Sequence, residues 1–243
     1  MNPLTGQTLL DAWEEACAAE PAARPLVLLS AAEPGRSWDA LAAEPLGRRD
    51  ARLGTLREAM AGAMLDATTA CPECGEVVEV HFDGRAVWAA GGGAVGSAEV
   101  GVTAEVEVAV EAGTVVCRAP STADLLAAAH GPDPERALFE RCIVASPVEP
   151  AALSPQARAA VEAALADADP GADMELSLSC PTCLAAWSAP FDLAAFVWAE
   201  VEHAARCTLA EVDVLARAYG WREPDVLALS PWRRRRYLEL ARG

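Results

Sequence analysis

The sequence predicts an α+β protein: a small antiparallel sheet flanked by N-terminal helices and a C-terminal helical bundle. Three observations predict it. Apolar residues recur at helical spacing up to residue 70 and again after residue 192. Between Glu99 and Glu111 the period drops to two: Val100, Val102, Ala104, Val106, Val108 and Val110 fall on one face, Glu99, Thr103, Glu105, Glu107 and Glu111 on the other. Two Cys-x-x-Cys pairs, Cys71–Cys74 and Cys180–Cys183, bracket that middle region. The chain then divides into a helical arm over 1–70, a sheet core with a helical insertion over 71–191, and a helical bundle over 192–243.

Taken in order, Thr8 to Ala19 is the first helix. Glu20 to Gly35 holds three prolines and a short apolar run, Leu26 to Leu29, which breaks the helical pattern. Asp50 to Ala67 is a second helix, with Leu53, Leu56, Met60 and Met64 at helical spacing. Val77, Val80 and Phe82 predict a strand after the first cysteine pair. Gly91 to Gly96 reads as a flexible connection between strands, because no Gly-Lys-Ser/Thr follows to make a phosphate loop. Ala112-Gly113 can turn the valine strand into Thr114–Arg118. Ser121 with Asp124 marks a capped helix start, Asp133 to Cys142 is a further helix, and Ser154-Pro155 opens another that ends near Asp169-Pro170-Gly171. Met174 to Ser179 is a short strand leading into the second pair. Asp192 caps a helix bearing Leu193, Phe196, Val197, Val201 and Ala204. Thr208 and Glu211 have capping-box spacing for the next one, which Gly220 ends, and Ser230-Pro231 starts the last.

Composition narrows the function. Nineteen basic against thirty-six acidic residues give a net charge of −17, a surface that repels nucleic-acid phosphates and anionic lipid. No apolar run approaches the roughly 18 residues of a membrane span. Met1 to Asp11 has neither the basic start nor the apolar stretch of a signal peptide, so the expected compartment is the cytoplasm. There thiols stay reduced, and paired cysteines point to metal more often than to disulfide. Of the eight cysteines, Cys17, Cys117, Cys142 and Cys207 are scattered singly and read as small buried hydrophobes.

The paired cysteines carry the strongest signal. Two cysteines two apart on a tight turn aim both sulfurs at one ion, and two such turns complete a tetrahedral four-cysteine shell for zinc. The expectation is therefore one structural zinc ion held by Cys71, Cys74, Cys180 and Cys183, in a ribbon split by a 105-residue insertion. Phe82-Asp83 and Phe191-Asp192 follow their pairs at matching distances, as in a weak internal duplication of a hairpin. Leu184 stands where the first knuckle has Gly75. Three alternatives stay open: a dithiol redox site, two separate metal sites, and a zinc deaminase. The last would need Pro-Cys-x-x-Cys with His-x-Glu upstream, whereas Ala70 and Ser179 precede the pairs and His81-Phe82-Asp83 does not match. No Gly-x-Ser-x-Gly elbow or His-Glu-x-x-His occurs, so no catalytic residues and no small-molecule substrate are expected. The rival reading is a metal- or thiol-dependent enzyme with its site near the cysteines.

From Arg222 to Gly243 the charge reverses, with six arginines against three acidic residues. Aromatic plus arginine is the composition of binding hot spots, which makes Trp221, Trp232, Arg233, Arg235, Arg236 and Tyr237 the candidate partner-binding residues. Two other readings are a nucleic-acid contact, against which the aromatic residues stand at helical packing spacing, and arginines paired with the protein's own acidic strand. The segments Ala218-Tyr219-Gly220-Trp221-x-Glu223, Leu227-x-Leu229-Ser230 and Arg233-Arg234-x2-Tyr237-Leu238 are joined by Ala119-Pro120-Ser121-Thr122-Ala123-Asp124-Leu125 and by both knuckles with Phe191-Asp192. Leu46-Gly47-Arg48-Arg49-Asp50 with Leu56-Arg57-Glu58 adds a weaker match. Together these resemble the baseplate hub assembly proteins, or hub chaperones, of contractile phage tails and of phage-tail-like contractile injection systems. The resemblance implies a non-enzymatic role as an assembly chaperone or component of the baseplate, with other baseplate or hub proteins as partners.

Overall fold

A computed structural model describes residues 1–91 and 104–242. Helix makes up 55% and strand 18%, in separate runs rather than alternating βαβ units, so the class is α+β. The chain begins with α1 (Gln7–Ala18), α2 (Arg24–Ala32), α3 (Trp38–Ala42) and α4 (Leu46–Ala61). A hairpin follows, β1 (Met64–Ala70) and β2 (Val77–Asp83), and then α5 (Arg85–Gly91). The insertion carries β3 (Glu105–Val110), β4 (Gly113–Arg118), α6 (Thr122–Ala128), α7 (Pro134–Cys142), β5 (Ile143–Ala145) and α8 (Pro155–Ala168). A second hairpin, β6 (Glu175–Ser179) and β7 (Ala186–Pro190), leads to α9 (Leu193–Tyr219), α10 (Glu223–Leu227) and α11 (Pro231–Arg242).

Among the described residues the strands form three small antiparallel sheets: β1-β2, β3-β4-β5 and β6-β7. The helices at the two ends of the chain share one core, in which Leu26, Leu28 and Leu29 of α2 meet Leu53 and Leu56 of α4 and Leu193, Val197 and Leu215 of α9. Leu65 of β1 and Trp88 of α5 close it toward the first hairpin. A second core joins Val115 and Cys117 of β4 to Phe139 of α7 and Val161 of α8. There the valine pattern holds: Val106, Val108 and Val110 face the core half-buried, while Glu105 and Glu107 are exposed. Glu99 to Thr103 of the expected strand and Gly92 to Gly96 of the expected connection lie outside the described residues.

Three expectations need correction. The prolines of Glu20 to Gly35 do not break a helix. Pro25 occupies its first turn, where the missing N–H has no intrahelical partner to lose. Leu26 to Leu29 are all buried because the middle of this helix is enclosed, while Ala31 near its end is exposed. The helix expected to run to Ala67 stops at Ala61, since Gly62 takes φ 89° and turns the chain into β1. Arg57 fixes that corner: its guanidinium donates to the Gly62 and Met64 carbonyls at 2.5 and 2.6 Å and grips Glu200 of α9 with two 2.9 Å bonds. Finally, no helix starts at Thr208. The buried positions Leu193, Val197, Val201, Ala205, Thr208, Val212 and Leu215 form one unbroken stripe along α9, and the Thr208 hydroxyl donates back to the Ala204 carbonyl at 2.9 Å. Gly220, left-handed at φ 69°, ends this helix as the sequence predicts.

Candidate metal centre

Each cysteine pair sits at the tip of one of the two hairpins, and the local backbone is the same in both. The Cys71 N–H donates to the Glu76 carbonyl and the Cys180 N–H to the Ala185 carbonyl, each at 2.8 Å. The Gly75 N–H donates to the Cys71 carbonyl at 2.9 Å, and the Leu184 N–H to the Cys180 carbonyl at 3.0 Å. Such a turn needs a left-handed residue after the second cysteine. Gly75 supplies it at φ 74°, and Leu184 adopts it at φ 62°. For leucine this costs about 1–2 kcal/mol. With its side chain 83% exposed, no burial at that position offsets the cost.

The two tips face each other. Sγ of Cys71 lies 3.6 Å from Sγ of Cys183, and Sγ of Cys74 lies 3.7 Å from Sγ of Cys180. All four sulfurs fall within 4.8 Å of one another. Sulfurs bonded to each other sit about 2.05 Å apart, so these are thiols and not disulfides. A tetrahedron with metal–sulfur bonds of about 2.3 Å has edges of about 3.8 Å, close to the 3.6 and 3.7 Å of these two contacts. Among the described residues it is the one group of three or more cysteine, histidine or acidic side chains placed to hold a metal ion. The knuckles expected to converge across 105 residues do converge.

The pairing has a pseudo-twofold character. Cys71 corresponds to Cys180 and Cys74 to Cys183, and each close contact joins the first cysteine of one knuckle to the second of the other. Phe82 and Phe191, each eight residues beyond its knuckle, meet edge to face with ring centroids 5.6 Å apart. Phe191 also packs on Phe196 of α9, which ties both hairpin bases to the helical core. Near the tips the hairpins bury only Cys71, Val78 and Cys180, with Val80, Ala185 and Trp187 partly covered. Cys71 and Cys180 are buried, whereas Cys74 and Cys183 are exposed.

Backbone N–H groups of Cys183 and Thr182 hold the Cys180 thiol down at about 7. The Glu76 N–H pulls on Cys74, but the neighbouring sulfur of Cys183, burial, and the sulfurs of Cys180 and Cys71 outweigh it and push that thiol up to about 12. Metal binding takes the thiolate form of its ligands, and an ion in this cluster would supply the charge that stabilises it.

The other cysteines divide. Cys117 and Cys142 are buried, as expected, and burial raises both thiols, Cys142 to about 11. Cys17 and Cys207 are exposed, against expectation, because each lies on the solvent side of its helix. All three histidines are exposed, and none belongs to the thiol cluster.

The C-terminal residues separate into two groups. Trp221 and Tyr237 turn inward against the helical core, where Tyr237 meets Trp221 edge-on at 4.8 Å and Tyr219 stacks on Trp221 at 4.8 Å. Trp232 is 70% exposed, with the Arg236 guanidinium over its ring at 5.4 Å. Arg233, Arg235 and Arg236 point to solvent. Arg234 is the buried one and pairs with Glu211 of α9 at 2.6 Å, while Arg236 pairs with Glu239 of its own helix. No described arginine of α11 reaches the acidic strand β3. Leu240, also exposed, extends the Trp232 face, a signal that sequence spacing could have shown at i and i+8.

Comparison with protein-family models, with curated proteins and with solved structures finds no match for this chain. No helix among the described residues is long and apolar enough to cross a membrane.

Proposed function

We propose that this chain is a non-enzymatic zinc-ribbon protein that acts in assembly of, or as a component of, the baseplate of a phage-tail-like contractile injection system. The observation that carries the non-enzymatic part is the closure of the thiol cluster. Four cysteine sulfurs at tetrahedral spacing fill every position around the ion and leave none for water or substrate, the arrangement of structural rather than catalytic zinc. All-sulfur tetrahedral donors favour zinc or iron, and zinc suits two knuckles that serve only to clamp hairpins. A dithiol redox role fits less well, because each cysteine has a sulfur of the opposite hairpin within 3.7 Å and all four form one cluster.

The baseplate assignment rests on the resemblance of the tail and the knuckles, and the exposed Trp232 with Arg233, Arg235 and Arg236 is the surface on which partners would dock. Metal analysis of purified protein should return close to one zinc per chain. Two equivalents, or iron, would overturn the single-zinc reading. Deleting the gene from a host that carries an injection system should abolish assembled particles, and restoring it should recover them. Normal particles in the deletion strain would overturn the assembly role.

A further inference from the structure

All nineteen basic residues of the chain are arginine, and most are already neutralised. Arg36, Arg52, Arg57, Arg118, Arg141 and others hold carboxylates of their own fold within 4 Å. Arg24 is stacked on Trp198. Arg233 and Arg235, by contrast, are exposed and make no ion pair among the described residues. They adjoin Trp232 and Leu240, which are 70% and 71% exposed. Trp232, Arg235, Arg236 and Leu240 stand at i, i+3, i+4 and i+8, so α11 presents one stripe that is apolar at both ends and cationic between. In a chain of net charge −17 this is an isolated positive face.

The complement of that face lies elsewhere on the same chain. Between α7 and α8 a slot of about 220 Å³ is floored by Phe139 and Leu165; Arg158 lies over the Phe139 ring at 4.5 Å and pairs with Glu162 at 2.7 Å, and Glu135 and Asp173 leave the rim acidic. Glu135 and Asp173 are exposed, and among the described residues neither has a cation closer than the 4.0 Å that separates Glu135 from Arg158. The slot is smaller than the roughly 300 Å³ at which pockets for drug-sized ligands begin, and its volume suits one large side chain. An apolar floor with an acidic rim calls for an aromatic residue flanked by arginines. Within one molecule α11 packs on α9 at the helical body, whereas α7 and α8 enclose the core of the insertion.

We infer that α11 of one copy docks in the α7–α8 slot of a second copy, with Trp232 in the slot and Arg233, Arg235 and Arg236 against its acidic rim. This rests on the reading of α11 as the partner-binding surface and names the partner as the chain itself. Such a contact uses different patches on the two subunits, so it is head-to-tail and propagates into a ring or a short filament.

Sedimentation velocity of the full chain tests it. The mass is expected to rise above 25.4 kDa with concentration at low salt and to fall back at high salt. Trp232→Ala should weaken association at least about tenfold. A tail variant, Arg233→Glu with Arg235→Glu and Arg236→Glu, and a slot variant, Glu135→Arg with Asp173→Arg, should each be monomeric alone. All five charge swaps are at exposed positions, so the helical circular dichroism should be unchanged. Mixed, the two variants should co-assemble beyond two chains, since wild-type tail meets wild-type slot at one junction and swapped tail meets swapped slot at the next. A chain carrying both sets should regain self-association. A wild-type monomer at every concentration, or variants that associate as the wild type does, would overturn the inference. If the wild type is monomeric yet captures a purified baseplate protein in a Trp232-dependent way, the self-docking inference fails while the proposed function stands.

Discussion

Stripping the metal should release the hairpin tips and spare the helical body. Near the tips three side chains are fully buried, Cys71, Val78 and Cys180, and two of these are ligands. Burying a valine-sized side chain contributes about 1.5–3 kcal/mol, and isolated two-stranded hairpins are marginal in water. Structural zinc contributes on the order of 10–16 kcal/mol at neutral pH, so a zinc ion in this cluster would outweigh the tip packing several-fold. The bases are anchored differently. Leu65 is wholly buried in the helical core, and Phe82 and Phe191 pack against it. Hydrogen exchange after chelation should therefore show a graded loss. Amides of 66–80 and 176–188 should exchange freely, those near Leu65 and Phe191 should keep partial protection, and α2, α4 and α9 should be nearly unaffected. Cys74→Ser should reproduce the pattern without chelator. Exchange unchanged in both hairpins after the metal is gone would refute the idea that the ion holds them. Global unfolding of α9 along with the tips would refute the independence of the helical core.

Leu184→Gly should be neutral or stabilising by up to about 1 kcal/mol in a thermal melt of the metal-loaded protein. It removes a left-handed leucine that is 83% exposed, although glycine's greater freedom in the unfolded chain offsets part of the gain. Arg57→Ala should cost about 3 kcal/mol in denaturant unfolding, because it strips partners from the Gly62 and Met64 carbonyls and from Glu200 together. Asp124→Asn should cost about 2–4 kcal/mol, since Arg118, Arg141 and Ser121 all converge on that carboxylate. Burial alone would raise the Asp124 pKa, but Arg118 and Ser121 hold it down to about 2. A carboxylate held below its unfolded value stabilises the fold above that value, so its contribution should be full above about pH 4 and fade as the pH falls toward 2. A pH-stability profile of the wild type against Asp124→Asn should show their difference shrinking over that window.

The sequence exposed the elements whose signals are local. Caps at Ser121, Asp133, Ser154 and Asp192 each accept a backbone N–H as their residue types predict. The knuckles were legible because two-residue spacing between cysteines constrains a turn by itself. What stayed hidden depends on contacts between distant segments. Gly62 is a local stop signal, but the apolar spacing of Met60 and Met64 runs past it. The decision is made by Arg57 reaching Glu200, which is 143 residues away. Thr208 has a cap's chemistry, and it loses that role because burial on both sides continues the stripe of α9. The direction of each arginine in the run from Arg233 to Arg236 follows from Glu211 on α9, which draws Arg234 inward and leaves its neighbours outside.

The duplicated hairpin explains how a metal site tolerates an insertion of 105 residues. Each knuckle completes its own backbone hydrogen bonds within six residues, Cys71 to Glu76 and Cys180 to Ala185, so neither turn needs the other to form. Closure between them is made by the sulfurs, by the small cluster that joins Val78 and Val80 to Ala185 and Trp187, and by the Phe82–Phe191 contact at the bases. Both hairpin bases are fixed to the helical core, which brings the tips together whatever the chain does between β2 and β6. The insertion is then constrained only where it touches that body. There the Leu46 N–H donates to the Pro120 carbonyl at 3.1 Å and the Gly47 N–H to Asp169 at 2.8 Å. Its outer helices, α7 and α8, bear no part of the metal site. A surface with no duty to the metal is free to carry the acidic slot, and the exposed face of α11 is free in the same way at the other end of the chain.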